Sequence, residues 1–529
     1  MIEDKRESTS VKWLIILFFV ITVLYPLMMM LINIMEVDIW ALLSSRQFTE
    51  ALRNSLMTTL TASFISVVLS FLLAWSILRT NIRFKSVFTV LLTLPMLIPS
   101  ISHGMGLTIL FGTNGIVTNF LNFSRTIYGF WGIVIGSVLY SFPISFLMIS
   151  DTLLYEDSTP YEAADILGFS NWHKFKAITL PYIRKPMISV VFAVFTLILT
   201  DYGVPLMVGG KYTTLPVLMF EEVVGRLDFN KGGVIGLILL VPAIIAFILD
   251  VINKEMESTS FVTRSFDLKE NKLRDYLAYF LNSVTIFLIT LPIVVFLLLT
   301  FSTNYPVDLT FTLRNIKETF NMNGIDYLIN SLMISLAVSL VGTIVAYITA
   351  YLTARMPSKL SRVLHLLSIS SLAIPGIVLG LAYVITFNQT MIYGTLAILI
   401  LVNVIHFFAS PYLMIYNTLG KINKNLEAVG ETLGISRLRM IKDVFIPQTI
   451  GTVLEMISYF FVNSMITISA VSFLANVENS PISLMINQFE GNMMIEASAF
   501  ISLVILIVNL LMKILIYFIK NKILKEGMA

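Results

Sequence analysis

The residues in this chain that could do chemistry are few, and they are not spaced for catalysis. There is no cysteine, so there is no disulfide framework, thiol nucleophile or thiolate metal site. The four histidines, His103, His173, His365 and His406, lie far apart and share no ligand spacing, so no metal site is expected. The stretch VPLMVGGKYTT at 204–214 resembles a phosphate-binding loop only at its glycine–lysine step, because Pro205 stands where the first glycine is required. One carboxylate, Asp201, lies with Tyr202 inside the apolar run LILTDYGVPLMVGG. A carboxylate at membrane depth points to a lined cavity or pathway, which Gly203 and Pro205 could open by breaking the helix. The other reading places Asp201 at an interface, hydrogen-bonded to its own backbone. Neither reading describes covalent catalysis.

Two polar stretches stand out from a chain that is 57% hydrophobic: EAADILGFSNWHKFKAITLP at 162–181 and EAVGETLGISRLRMIKDVFIP at 427–447. Each opens on a short helical run and reaches a glycine, Gly168 or Gly434, suited to the left-handed turn that ends a helix. Two residues on stands a serine, Ser170 or Ser436, suited to cap the next helix. Pro181 and Pro447 each lie thirteen residues after the glycine, where a proline can open a membrane span. An ordinary solvated loop has no need to keep that spacing twice, whereas an element that docks two copies of a partner does.

The elements that carry these loops are membrane spans. Mean hydropathy is +0.87 and charged residues make up only 13% of the chain. Twelve apolar runs are expected to cross as helices, at roughly 13–35, 54–78, 86–111, 127–150, 187–208, 233–252, 276–301, 330–354, 363–387, 392–416, 452–474 and 497–519. The first is read as a retained span, since it is too long for a signal peptide and no cleavage site follows. With the N-terminus inside, inner segments carry 26 Lys and Arg and outer segments 8, which puts both termini and both polar loops in the cytoplasm. The net charge of +3 gives no sign of a nucleic-acid partner.

The chain also repeats. NSLMTTL at 54–60 matches NSLMISL at 330–336, and Arg79 meets Arg355, Pro99 meets Pro375 and Gly104 meets Gly380 at the same offset of 276. The offset then falls to 265 at Tyr128-Gly129 and is 266 at Gly168. The expected fold is therefore an all-α integral membrane protein of about twelve transmembrane helices, in two homologous six-helix halves of the same orientation. The halves are 1–252 and 276–529, joined by a cytoplasmic linker at 253–275, with the polar loops at about 155–185 and 420–450. At the repeat offset Asp201 corresponds to Thr467, which with Ser469 and Ser472 would offer hydroxyls to the same pathway. The mixed segment 203–232, with Glu221, Glu222, Arg226, Asp228 and Lys231, is a candidate external contact for a solute-binding protein.

The first loop resembles the EAA loop of permease subunits in binding-protein-dependent ABC importers, with Glu162, Ala163, Ala164, Gly168, Ile178, Leu180 and Pro181 on its pattern. The second departs from it: Glu427 comes one residue early, Ala428 fills the glutamate position and Gly430 replaces the second alanine. The resemblance covers nearly the whole chain, each half looking like one six-span permease. It implies a bacterial cell-membrane importer subunit that is not an enzyme. Two copies of a cytoplasmic ABC ATPase would bind ATP and Mg, and an extracytoplasmic binding protein would deliver a small polar solute. The loops would be coupling helices, docking through Glu162, Ala163, Gly168, Trp172 and His173 in the first and Glu427, Glu431, Gly434, Arg437 and Arg439 in the second. The chain looks most like fused permeases for phosphonates such as 2-aminoethylphosphonate, with ferric iron, thiamine and polyamines as alternatives. The rival class, a twelve-span secondary transporter of the major facilitator type, would need a richer loop after span two than RTNIRFK and more titratable groups inside the membrane. A polytopic membrane enzyme would need a catalytic constellation that the sequence lacks.

Overall fold

The structure is a computed structural model that describes residues 2–122, 126–254, 264, 266, 268, 270–423 and 425–526. Most of the expected linker at 253–275 lies outside the described residues. Among those described, nine helices are long and apolar enough to cross a membrane, or twelve if three bent pairs each count as one span. The described residues are thus largely helical, with one short antiparallel hairpin among them, Ser302–Asn304 with Asp308–Phe311, that the sequence does not announce.

Two of the bent pairs are written in the prolines. Lys85–Leu97 and Ser100–Leu121 meet at 96°, and Lys359–Ala373 and Gly376–Phe387 meet at 107°. A residue before proline is pushed out of the helical region, and Ile98 (φ −117°, ψ 152°) and Ile374 (φ −107°, ψ 110°) are both extended. Pro99 and Pro375 then start the next helix, where a missing N–H costs little. The expected continuous spans at 86–111 and 363–387 are therefore sharply broken. The third pair, Leu396–His406 with Ala409–Lys421, bends by 51°.

The chain forms two compact units that do not follow the two sequence halves. One contains 40–220 and 241–315, the other 1–39, 221–240 and 316–529. In the first, the helices Arg46–Leu78 and Phe130–Leu154 meet along serines one turn apart. Ser141 donates to Ser66 at 3.0 Å, Ser70 donates to the Phe142 carbonyl at 2.9 Å, and Ser70 and Ser145 lie 2.5 Å apart. Small residues let the backbones approach, and hydroxyls that pair across helices leave no polar group facing hydrocarbon. Lys272–Thr300, the first helix of the second repeat, packs in this same unit: Asn282 donates to Ser76 at 2.7 Å, and Pro292 lies where a methyl on Gly106 would come within 2.6 Å. In the other unit the N-terminal helix Thr9–Asn33 packs among second-repeat helices. There Tyr383 donates to the Thr22 carbonyl at 2.8 Å, Lys12 to the Met356 carbonyl at 2.8 Å, and Phe19 meets Phe408 edge to face. The repeats are thus contiguous in sequence, while each packed unit takes its first helix from the other repeat.

Candidate functional site

Each unit carries one polar loop. In the first, helix Thr159–Ile166 ends at a turn where Gly168 has φ +73°. Ser170 accepts from the His173 amide at 3.3 Å, the expected cap, and Asp165 pairs with Lys174 across the turn. In the second, Leu426–Thr432 turns at Gly434, φ +68°, and Glu431 pairs with Arg437 at 3.1 Å. Ser436 has the extended backbone of a cap, but its side chain makes no capping bond. Gly430 replaces alanine because Met440 presses on it: a methyl there would lie 2.2 Å from the Met440 sulfur.

The sequence reading has the span begin near the proline. Instead the loop's second helix and the span are one rod, Asn171–Leu199 in the first copy and Arg437–Ile466 in the second. A widened π-turn, Phe175–Thr179 or Ile441–Phe445, precedes Pro181 or Pro447. Proline cannot donate to residue i−4 and its ring crowds that carbonyl, and the wider turn absorbs the misfit without breaking the helix. Each turn therefore leads into a helix that continues into a membrane span.

An arginine fastens the base of each loop. Arg79, at the end of helix Arg46–Leu78, donates to the Leu153 carbonyl at 2.9 Å and to Glu156 at 2.6 Å, with its guanidinium 3.7 Å from the centre of the Phe266 ring. Tyr161 donates to the other oxygen of Glu156 at 2.5 Å and also meets the Thr179 hydroxyl. Burial, aided by the Glu156 carboxylate, pushes the Tyr161 phenol up, so it remains a donor. Arg355 holds the register-equivalent carbonyl of Leu419 at 3.2 Å, the carbonyls of Ile422 at 2.7 Å and Asn423 at 2.8 Å, and both oxygens of Glu427 at 2.6 Å. Glu427, a docking candidate in the sequence reading, is therefore engaged inside its own unit. Its one-residue shift from the pattern is what brings it to Arg355. Glu162 is exposed and accepts from Ser158 at 3.0 Å.

Around the two turns, apolar residues face outward at equivalent positions. Leu167, Phe169 and Trp172 are exposed in the first loop, and Leu433, Ile435 and Leu438 in the second, with Trp172 at 65% and Leu438 at 80%. Of these the sequence reading singled out only Trp172. The missed signal is large apolar residues retained at one register in the two most polar stretches of the chain. Ala163, His173 and Arg439 are also exposed, and Arg437 is half-buried.

The family model for the binding-protein-dependent transport system inner membrane component matches residues 66–255 and 342–525, one match in each repeat. The chain belongs to this family. A Haemophilus influenzae protein named as a ferric transport system permease is 26% identical over 502 residues, 90% of this permease and 79% of its own length. The sulfate transport system permease of Escherichia coli is 23% identical over 238 residues, 44% of this chain and 86% of its own. The molybdenum transport system permease of Azotobacter vinelandii is 27% identical over 180 residues, 33% of this chain and 80% of its own. The latter two match less than half of this permease yet most of themselves, as a protein built from two repeats requires.

The pathway candidates fall at the ends of the two rods. Asp201 lies two residues beyond Leu199 and accepts from the backbone amides of Gly203 at 3.3 Å and Val204 at 3.0 Å. This is the backbone-capping reading of Asp201, at a buried site. Tyr202 is buried and stacked on Phe220, with ring centroids 4.9 Å apart. Thr467 ends the second rod, and its carbonyl accepts from Ser483 at 2.8 Å. Ser469 and Gly376 touch so closely that a methyl on Gly376 would lie 2.6 Å from the Ser469 hydroxyl, and the Ser472 hydroxyl donates to the Ser469 carbonyl at 3.3 Å. Asp201 and Thr467 lie in different units.

The NSLM repeat pins the segment beyond each rod. Asn54 donates to the Thr213 carbonyl at 3.0 Å and Ser55 accepts from the Leu215 amide at 2.7 Å. In the other unit Asn330 donates to the Glu478 carbonyl at 2.9 Å and Ser331 accepts from the Ile482 amide at 2.7 Å. The sequence reading used this repeat only to set the register. The segment 203–232, a candidate external contact for a solute-binding protein, is in part buried: residues 203–205 and 215–219 lie inside the short helices Gly203–Val208 and Leu215–Phe220. The charged candidates on the exposed side of that segment reduce to Glu221 and Arg226.

Proposed function

We propose that this permease forms the whole translocation pathway of an importer powered by two copies of a partner ATPase. The observation that carries it is the pair of rods, each running without a break from an exposed helix–turn–helix into a membrane span. A soluble subunit that moves on ATP binding and grips the turn would shift the span as a lever. The exposed apolar sets around Gly168 and Gly434 are the surfaces for it, with Glu162, Ala163, Trp172 and His173 on one loop and Arg439 on the other. Glu427 serves the fastening of its loop. The excess of Lys and Arg on the loop side supports cytoplasmic loops and termini. An external binding protein would deliver the solute, as the family description implies.

For the cargo we favour ferric iron. The relative that spans 90% of this chain is named for ferric transport, and the relatives named for sulfate and molybdenum span one repeat or less. The phosphonate reading finds no support among these relatives. ATP and Mg belong to the ATPase, and the chain's own part is binding, gating and passage.

The test is co-expression with its cognate ATPase and native mass spectrometry of the complex. Two ATPase copies per permease, with vesicle uptake of radiolabelled iron that needs ATP and the binding protein, are expected. One ATPase copy, or uptake driven by an ion gradient without ATP, would overturn the reading.

A further inference from the structure

We propose that one ordered water sits beside Asp201 and ties the end of the first rod to the helices around it. Asp201 is 8% exposed. Its carboxylate accepts from the amides of Gly203 and Val204 and hydrogen-bonds the Ser100 side chain. An ionised carboxylate offers about four lone-pair sites, so roughly one is left. Ser137 and Thr214 are 1% and 3% exposed, and neither hydroxyl has a partner within the protein. Asp201, Ser137 and Thr214 line one cavity, together with Ser55, Thr58 and Thr59. Its volume is about 10 Å³ measured at the centre of a water molecule, the size of a single water site.

Counting donors selects the occupant. Two hydroxyl protons need an acceptor, and one carboxylate lone pair needs a donor. A water that accepts from Ser137 and Thr214 and donates to Asp201 satisfies all three, the usual complement of a buried water. A sodium ion would draw on the hydroxyl lone pairs and leave both protons without an acceptor.

The carboxylate of this polar set belongs to this repeat alone. At the offset of 276 Ile334 stands for Thr58, while Ser331 and Ser335 stand for Ser55 and Thr59, and at the offset of 266 Thr467 stands for Asp201. The second repeat thus ends its rod without a carboxylate, so the fold does not demand one there. Asp201 is accordingly a positioning residue, holding the segment 201–216 against its neighbours through its own bonds and through the water.

The proposal is independent of cargo and of ATPase. It is tested on the purified full chain by a structure at a resolution that shows waters, and by melting. A density peak within hydrogen-bond distance of Asp201, Ser137 and Thr214 is expected. Thr214→Val and Ser137→Ala should each lower the melting midpoint, and the double variant should lower it by less than the sum, because the first change already frees the water. Exchanging sodium for choline chloride should leave the wild-type midpoint unchanged. A sodium-dependent midpoint would replace the water with an ion and overturn the proposal. No peak together with wild-type melting of both variants would show a dry cavity. If the variants fail to fold, the wild-type density and the ion exchange still decide.

Discussion

Arg355 grips Glu427 with two nitrogens, each 2.6 Å from a different carboxylate oxygen, while its register mate Arg79 grips Glu156, ahead of the first loop helix. The two loops are therefore fastened at different points, the second through its own helix. Glu427→Gln should destabilise the second loop. Arg355 is nearly buried but keeps three carbonyl acceptors, so a loss of about 1–3 kcal/mol is expected. Glu162→Gln, which breaks no ion pair, should leave stability unchanged. Thermal melting of the two variants side by side distinguishes them.

The turn glycines should respond alike. Both have positive φ and nothing within 4 Å of an added methyl, so the penalty is backbone strain alone. Gly168→Val and Gly434→Val should each cost about 1–2 kcal/mol locally. Each should weaken ATPase binding with normal membrane insertion, measured by pull-down from solubilised membranes. The departure of the second loop from the EAA pattern does not reach its turn, so unequal effects would show that another feature sets docking.

Trp172→Ala and Leu438→Ala remove the largest exposed apolar groups at equivalent positions. If these loops seat in the partner, each change should cost about 2 kcal/mol of association, a Kd roughly thirtyfold weaker. The melting point of the isolated permease should be unchanged, because neither side chain is buried in the chain. Unaltered association in both variants would remove the apolar sets from the interface.

The two helix crossings at the broken span should differ in tolerance. A methyl on Gly380 would lie 2.7 Å from the Ala470 carbonyl oxygen, which is backbone, whereas one on Gly376 meets the Ser469 and His406 side chains. Side chains can rotate aside more easily than backbone can move. Gly380→Ala should therefore cost about 1–3 kcal/mol and Gly376→Ala less, read as expression and melting midpoint. The reverse order would indicate that Ser469 and His406 are fixed by something further.

Asp201→Asn should be only partly tolerated. Each carboxylate oxygen accepts one backbone amide, and an asparagine offers a single oxygen. A loss of about 1–2 kcal/mol is expected from the amide left without an acceptor. It should appear as faster hydrogen exchange at Gly203 or Val204. Wild-type exchange at both would show that the cap is dispensable.

What the sequence determined by itself is whatever short-range chemistry fixes. A run of about twenty apolar residues crosses hydrocarbon as helix, because a helix satisfies its backbone within the one segment. The αL glycines and the Ser170 cap follow from local backbone preference, and Gly168, Gly434 and Ser170 stand as expected. The repeat was legible because paired identities at a fixed offset need no structure to be seen. Tertiary structure decided whatever depends on which helix meets which. That the N-terminal helix packs among second-repeat helices, and Lys272–Thr300 with the first repeat, rests on contacts between residues hundreds of positions apart, such as Tyr383 with Thr22 and Asn282 with Ser76. A proline announces a break but not its angle, because the 96° and 107° bends depend on the neighbours that close around them. Glu427 looked like a free docking group, since nothing local shows that Arg355, at the end of a distant span, comes within 2.6 Å of it. The apolar residues around the turns could be assigned to the surface only once the loops were seen to leave them uncovered.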